Sequence, residues 1–177
     1  MRTLHLDGSC ETRAALLGKR VDALVTRLPF RTDQLHVRVL YDERRVLIVP
    51  IGHRLADKEF VTLDDIADEP LPRMPPGDPV WSAFWHVDPR PDGSKAPDGP
   101  LVETVEDKFE VIAAGEAVAI TAGPRGGSVR PDLTTVPLRG VEPSQVVLAT
   151  RANDRNGLVA AFRTSARAHL TGRSADR

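Results

Sequence analysis

The residue types in this sequence that could do chemistry are five histidines, one cysteine and several adjacent carboxylates. His5, His36, His53, His86 and His169 are scattered, and no two stand four apart, the spacing that puts two imidazoles on one helix face toward a metal. No metal site is expected. Cys10 is the single cysteine, so no disulfide can close within the chain. A helix start would favour its thiolate, but it has no base beside it in sequence and reads as a small residue of a first helical turn. The pairs Asp64-Asp65 and Glu106-Asp107 fall where helices begin, and the helix dipole accounts for them without catalysis. There is no G-x-S-x-G elbow, and Gly123-Pro124-Arg125-Gly126-Gly127-Ser128 lacks the Lys-Ser/Thr ending of a phosphate loop. No catalytic residue and no cofactor is expected, and the chain reads as a binder, not an enzyme.

Three places could form a ligand cleft, each where a strand runs out or a helix begins. One is the end of strand Ala23–Thr26, leading into Arg27, Leu28, Pro29 and Phe30. The next is the helix start at Thr104, Val105 and Glu106, where unpaired backbone N–H groups can hold an anion. The third is the end of strand Ala117–Thr121, leading into Ala122, Gly123 and Pro124. Ligands of open α/β sheets bind at such strand ends. Trp81, Phe84 and Trp85 could wall the cleft, or could form a small core of their own.

The elements that must position these places alternate between helix and strand. Ser9 can cap a helix over about Glu11 to Gly18, with Ala14, Ala15 and Leu17 inward and Gly18 as its stop. Ala23–Thr26 reads as a short buried strand. Leu35, Val37, Val39 and Tyr41 alternate as in a half-buried one. Val46–Ile51 is continuously apolar and predicts a strand buried on both faces. Thr62-Leu63-Asp64-Asp65 and Thr104-Val105-Glu106-Asp107 are capping boxes with Asp in the third helical position. The second opens a helix with Val105, Phe109, Ile112 and Ala113 on one face and Gly115 at its end. Leu133–Leu138 and Gln145–Thr150 are further strands. The last helix runs from about Gly157 to Leu170, with Leu158, Ala161, Phe162, Ser165 and Ala168 inward. Between Pro75 and Pro100 prolines and glycines crowd around one apolar island, Val80–Trp85, and Asp88–Gly99 reads as an exposed loop. Such alternation predicts an α/β fold with a largely parallel sheet, and the proline-rich middle predicts two lobes.

Composition narrows the class. At 177 residues the chain has the length of one domain with room for a second small lobe. Apolar residues at 41% and charged residues at 28% fit a globular chain and exclude a disordered one. Lys+Arg is 24 against Asp+Glu 25, so no global charge draws the chain to nucleic acid. Arg13, Lys19, Arg20 and Arg27 form a modest basic cluster that reads as a solvated face. No apolar run approaches the ~20 residues that span a bilayer, and the first ten residues do not read as a signal peptide. A cytoplasmic protein without a membrane partner is the expectation.

Several stretches, in order, look like one family. Lys19-Arg20-Val21-Asp22-Ala23-Leu24-Val25-Thr26-Arg27-Leu28-Pro29 resembles the G-x-V-D-x-A-L-V-R-L-P segment of LysR-type transcriptional regulators. Leu40 to Pro50 is similar to the strand pair that follows it, and Gly52-His53-Arg54-Leu55-Ala56 matches G-H-R/P-L-A. Val61 to Pro70 looks like V-T-L-A-D-L-A-D-E-P. Thr104–Gly115, Val118–Thr121 and Val136–Leu138 follow in family order, and the resemblance covers roughly Leu16 to Leu170. No single piece is specific; their order and spacing are.

The resemblance implies the effector-binding domain of a bacterial regulator, with an α/β fold of the type 2 periplasmic-binding-protein kind. Two lobes would flank a small-molecule cleft, with 1–55 and 139–177 in the first lobe and 56–138 in the second. Arg27, Leu28, Pro29, Trp81, Thr104, Val105, Glu106, Thr121 and Ala122 would then lie around a small effector, expected to be an organic acid. A homodimer is a further expectation, and DNA would be reached only through a winged helix-turn-helix that has no counterpart here. The family's first strand and helix, ahead of the counterpart of Arg2–Leu6, are also without one, so the first lobe is expected to be incomplete. It should show an unpaired sheet edge and exposed apolar surface, with Arg2–Leu28 marginally stable or reliant on a partner. The alternative is a truncated solute-binding or protein-interaction module with no link to transcription.

Overall fold

The computed structural model describes residues 9–75, 79–123 and 130–171, without the side chains of 9–11. Arg2–Leu6, the Ser9 cap, the Cys10 thiol and Pro124 therefore lie outside the described residues. The elements in chain order are α1 (Ser9–Leu17), β1 (Ala23–Arg27), β2 (Leu35–Glu43), β3 (Arg45–Pro50), a 3-10 turn (Asp64–Ile66), β4 (Leu71–Arg73), α2 (Pro79–His86), β5 (Asp98–Leu101), α3 (Val105–Ala113), β6 (Ala119–Ala122), β7 (Leu133–Pro137), β8 (Ser144–Arg151) and α4 (Gly157–His169). They form two compact units, Met1–Glu43 with Ser144–Arg177, and Arg44–Pro143. The chain passes from one unit to the other at 43/44 and 143/144. The boundaries expected from sequence, 55/56 and 138/139, differ in leaving β3 in the first lobe, whereas β3 lies in the second unit.

In the first unit the sheet order is β1-β8-β2. Val147 and Ala149 of β8 face Leu16 and Phe30 on one side of the sheet. Val146 and Leu148 face Leu40 and Ala166 on the other, which makes three layers. A central strand buried on both faces is mostly apolar, and β8 is almost wholly buried, with Ser144 and Thr150 as its buried polar residues. In the second unit the order is β6-β3-β7. Leu47 and Val49 of β3 join a core with Leu55, Val61, Ile66, Leu71 and Val136. Ile48, on the other face, packs with Ile112 of α3, Ala119 and Leu133.

Several expectations need correction. Both three-stranded sheets are antiparallel at every pairing, and the only parallel strand pair described is β4 with β5. β1 and β2 do run the same way, as helix–strand alternation implies, but β8 arrives from the other unit and inserts between them in the opposite direction. β3 does the same between β6 and β7. Ala23–Thr26 is not a buried strand: Val25 is 46% exposed, because β1 is an edge strand with only β8 beside it among the described residues. The alternation of Leu35–Tyr41 breaks at a bulge between Val39 and Tyr41, which brings Tyr41 to the face of Leu40 and Val146, while Val39 stays 44% exposed.

α1 and α4 bury other faces than their sequences predict. α1 buries Thr12, Ala15 and Leu16 and exposes Ala14. Its left-handed ending residue is Lys19, at φ 56°, while Gly18 is needed because a Cβ there would stand 2.8 Å from the Ala14 carbonyl. α4 turns Val159 and Ala166 inward, while Leu158, Ala161, Phe162, Ser165 and Ala168 are exposed, Leu158 by 79%. Arg163 lies on the inward stripe between Val159 and Ala166. Its guanidinium donates to the buried Thr150 hydroxyl and to the Arg151 carbonyl, and the helix turns to satisfy them. The island Val80–Trp85 is helical, as α2. The supposed loop Asp88–Gly99 ends in β5 and buries Arg90, 6% exposed, whose guanidinium donates to the Ile66 and Ala67 carbonyls.

Candidate functional site

In the first unit, β1 carries Arg27 to the end of the sheet where β2 ends at Glu43, the last residue before the chain crosses. Arg27 pairs across the ladder with Val146 and its Nε donates to Glu43 Oε2 at 2.7 Å. The carboxylate is mostly covered, at 17% exposure, whereas the Arg27 side chain is 47% exposed. A half-exposed guanidinium held by one nitrogen keeps its forked end for a second carboxylate. Leu28 donates its N–H to the Gln145 carbonyl at 3.0 Å and packs its side chain against the Leu16–Phe30–Val147 core. Pro29, half-buried, follows a cis peptide bond.

The second unit holds the remaining expected residues in two groups. Thr104 caps α3: its Oγ1 accepts the Asp107 N–H at 3.0 Å, and Asp107 Oδ2 accepts the Thr104 N–H at 3.0 Å. The capping box is thus complete, and the hydrogen bonds from the Thr104 side chain and backbone hold the Asp107 carboxyl below its ordinary range. This changes the chemistry expected of Thr104, Val105 and Glu106. The helix start carries two carboxylates of its own, Glu106 and Asp107, which compete with an incoming anion. Val105 is half-buried and Glu106 exposed.

Trp81, Thr121 and Ala122 form the other group, because α2 packs on β6. Thr121 and Ala122 are half-buried at the end of β6, opposite Val46 and Arg45 of β3. Trp81 stacks obliquely on Trp85, with ring centroids 6.3 Å apart, and Phe84 meets Trp85 edge-on at 5.1 Å. Trp85 packs on the main core of this unit, and no residue of α2 is fully buried.

Sequence reasoning missed Glu43 and Arg45. Arg45 is 5% exposed, and its guanidinium carbon lies 3.7 Å from the centre of the Phe84 ring. Its Nε donates to the Glu142 carbonyl and its Nη1 to the Phe84 carbonyl, each at 2.7 Å. Burial pushes its pKa down, and the nearby Glu142 charge opposes that shift. The available signal was a cation opening an otherwise apolar strand. Among the described residues no group of three or more potential ligands could hold a metal, and no helix is long and apolar enough to cross a membrane.

Solved structures share this fold. The regulatory domain of Synechocystis PCC6803 CcmR, in complex with 2-PG, superposes with a TM-score of 0.72 at 16% identity, covering 92% of this chain and 80% of that one. The BenM effector binding domain with its effector benzoate gives 0.66 at 20% identity, covering 90% and 75%. Full-length CbnR, complexed with its target DNA, gives 0.74 at 17% identity, and the chain spans 57% of its length. These likenesses show the type 2 periplasmic-binding-protein-like α/β fold. No curated protein sequence matches the chain. The LysR substrate binding domain, however, matches residues 3–171, nearly the whole length, and the chain belongs to that family.

Proposed function

We propose that this chain is a small-molecule sensor of a LysR-type transcriptional regulator, and that Arg27 receives a carboxylate of its effector. The observation that carries the reading is the state of Arg27. Glu43 holds its Nε, its side chain is half-exposed, and among the described residues no other hydrogen bond engages its terminal nitrogens. A guanidinium fixed at one edge loses less freedom on binding a carboxylate than a free one does. An organic acid is the class of effector that the Arg27 guanidinium favours. In the second unit, taken by itself, Trp81, Thr121 and Ala122 lie together where α2 packs on β6, and the indole there would suit an apolar ligand face. The reading is regulatory and not catalytic, in line with the family.

Calorimetric titration of the whole chain with a panel of small mono- and dicarboxylates tests it. Binding by at least one member is the expected result. Arg27→Ala should then weaken it by about tenfold or more, the worth of a charge-assisted bidentate contact. No heat from any member at millimolar concentration, with a folded sample, overturns the sensor reading. Undiminished binding by Arg27→Ala overturns the assignment of Arg27 alone.

A further inference from the structure

We propose that Arg45 is a positioning residue that couples α2 to both chain crossings, so that a displacement of α2 is felt at the crossings. The inference goes beyond the sensor reading: Arg45, Phe84 and Glu142, which carry it, are not among that reading's residues, although α2 and Ala122 are common to both. Arg45 is the second residue after the crossing at 43/44, and Glu142 is the second before the crossing at 143/144. The Arg45 Nε bond to the Glu142 carbonyl therefore joins the two crossings to each other. The same guanidinium lies under the Phe84 ring and donates to the Phe84 carbonyl, which joins both to α2.

Three facts make this more than packing. Arg45 is nearly buried and has two carbonyl oxygens and a ring face as its partners, with no carboxylate bond among the described residues. A buried cation is tolerated only while such partners stay in place, so all three elements are tied to one geometry. Next, α2 is lightly anchored: none of its residues is fully buried, and its C-terminal half is held by Arg45, by Trp85 on the core and by the His86 Nε2 contact with the Pro72 carbonyl at 3.0 Å. Finally, Ala122 pairs directly with Arg45 on β3, so the end of β6 reaches the same residue. A load on α2 meets the crossings through the Arg45 side chain, and one on the end of β6 through the backbone pairing of the same residue.

The chain's only tryptophans, Trp81 and Trp85, both sit on α2 and report its state by fluorescence. Amide exchange of peptides covering residues 43–46 and 141–145 reports the crossings. Phe84→Leu removes the ring from Arg45 and should speed exchange at both crossings by about five- to tenfold, as loss of a desolvated cation–π contact implies. In an Arg45→Met background the same Phe84→Leu change should add nothing there. Arg45→Lys, which keeps the charge without the fork, should raise acrylamide quenching of the tryptophans and give exchange between the two limits. Unchanged exchange in Phe84→Leu, or an equal increment with and without Arg45, overturns the proposal. If Arg45→Met does not fold, Arg45→Lys decides: wild-type quenching and exchange together would refute the coupling. The measurement needs no effector, so its failure is distinct from failure of the sensor reading.

Discussion

Arg27 reaches Glu43 past the intervening strand β8, Nε to Oε2 at 2.7 Å, so the two outer strands of the first sheet are pinned at the end where the chain leaves the unit. The pair is unequal: the acid is largely covered and the base is half in solvent. That asymmetry makes Glu43 a support for Arg27 rather than its neutraliser. Glu43→Gln should weaken carboxylate binding by a few-fold, through looser orientation, and Arg27→Ala by about tenfold or more. Calorimetry on both variants checks the order; a larger effect at Glu43 than at Arg27 would reverse these roles.

Arg151 ties the first unit together. Nη1 donates to the Leu16 and Val21 carbonyls at 3.0 Å each, and Nη2 to Asp22 at 2.6 Å and Asp154 at 2.5 Å. It thereby fastens the end of α1 to the start of α4. Arg151→Ala leaves several acceptors without their donor and should lower stability by roughly 2–3 kcal/mol, the scale of charged hydrogen bonds lost together. Urea denaturation followed by circular dichroism reads it out, and a loss below the scatter of surface variants would refute the role.

Asp65 gives an acid dependence. The Lys58 hydrogen bond, followed by those from the Thr62 N–H and hydroxyl, lowers its pKa from 3.8 to about 2. A folded-state pKa below the unfolded one means that the stabilisation is full above 3.8 and is lost as pH falls toward about 2. Asp65→Asn should therefore be less stable than wild type near neutrality, and the gap should close across that acid interval. Paired urea melts at several acidic pH values test it; a gap independent of pH would count against the assignment.

The two stripes of α4 can be told apart by single substitutions. Val159 is buried and Leu158 is not. Val159→Ala should cost about 1.5–2.5 kcal/mol, from two lost methyl groups and the space they leave. Leu158→Ala should stay within about 0.5 kcal/mol of wild type. The reverse ranking in thermal melts would show that the helix is turned the other way.

Gly99 sits where β5 runs beside β4, and a Cβ there would come within 2.7 Å of the Leu71 carbonyl oxygen. Backbone cannot yield as a flexible side chain does. Gly99→Ala should destabilise by about 1–3 kcal/mol, whereas Gly52→Ala, with nothing within 4 Å, should be nearly silent. Thermal melts of the two variants, compared side by side, check the contrast.

What the chain determines by itself is mostly local. The continuous apolar run Val46–Ile51 marks β3 as a central strand, because positions covered on both faces are mostly apolar. The Thr104–Asp107 box and Gly115, at φ 74°, bound α3 through contacts within a few residues. The ordered motifs from Lys19 to Leu138 point to the family without coordinates. Tertiary structure decided the rest. Strand direction depends on β3 and β8 arriving by the crossings and inserting between strands that share a direction. The bulge at Leu40 reverses an alternation that is regular in the sequence. The turned face of α4 follows from Arg163 meeting Thr150, and the burial of Arg45 from partners as far as 97 positions away. A residue's own neighbours set its backbone preference, but which of two plausible faces is buried is settled by groups brought close only after folding.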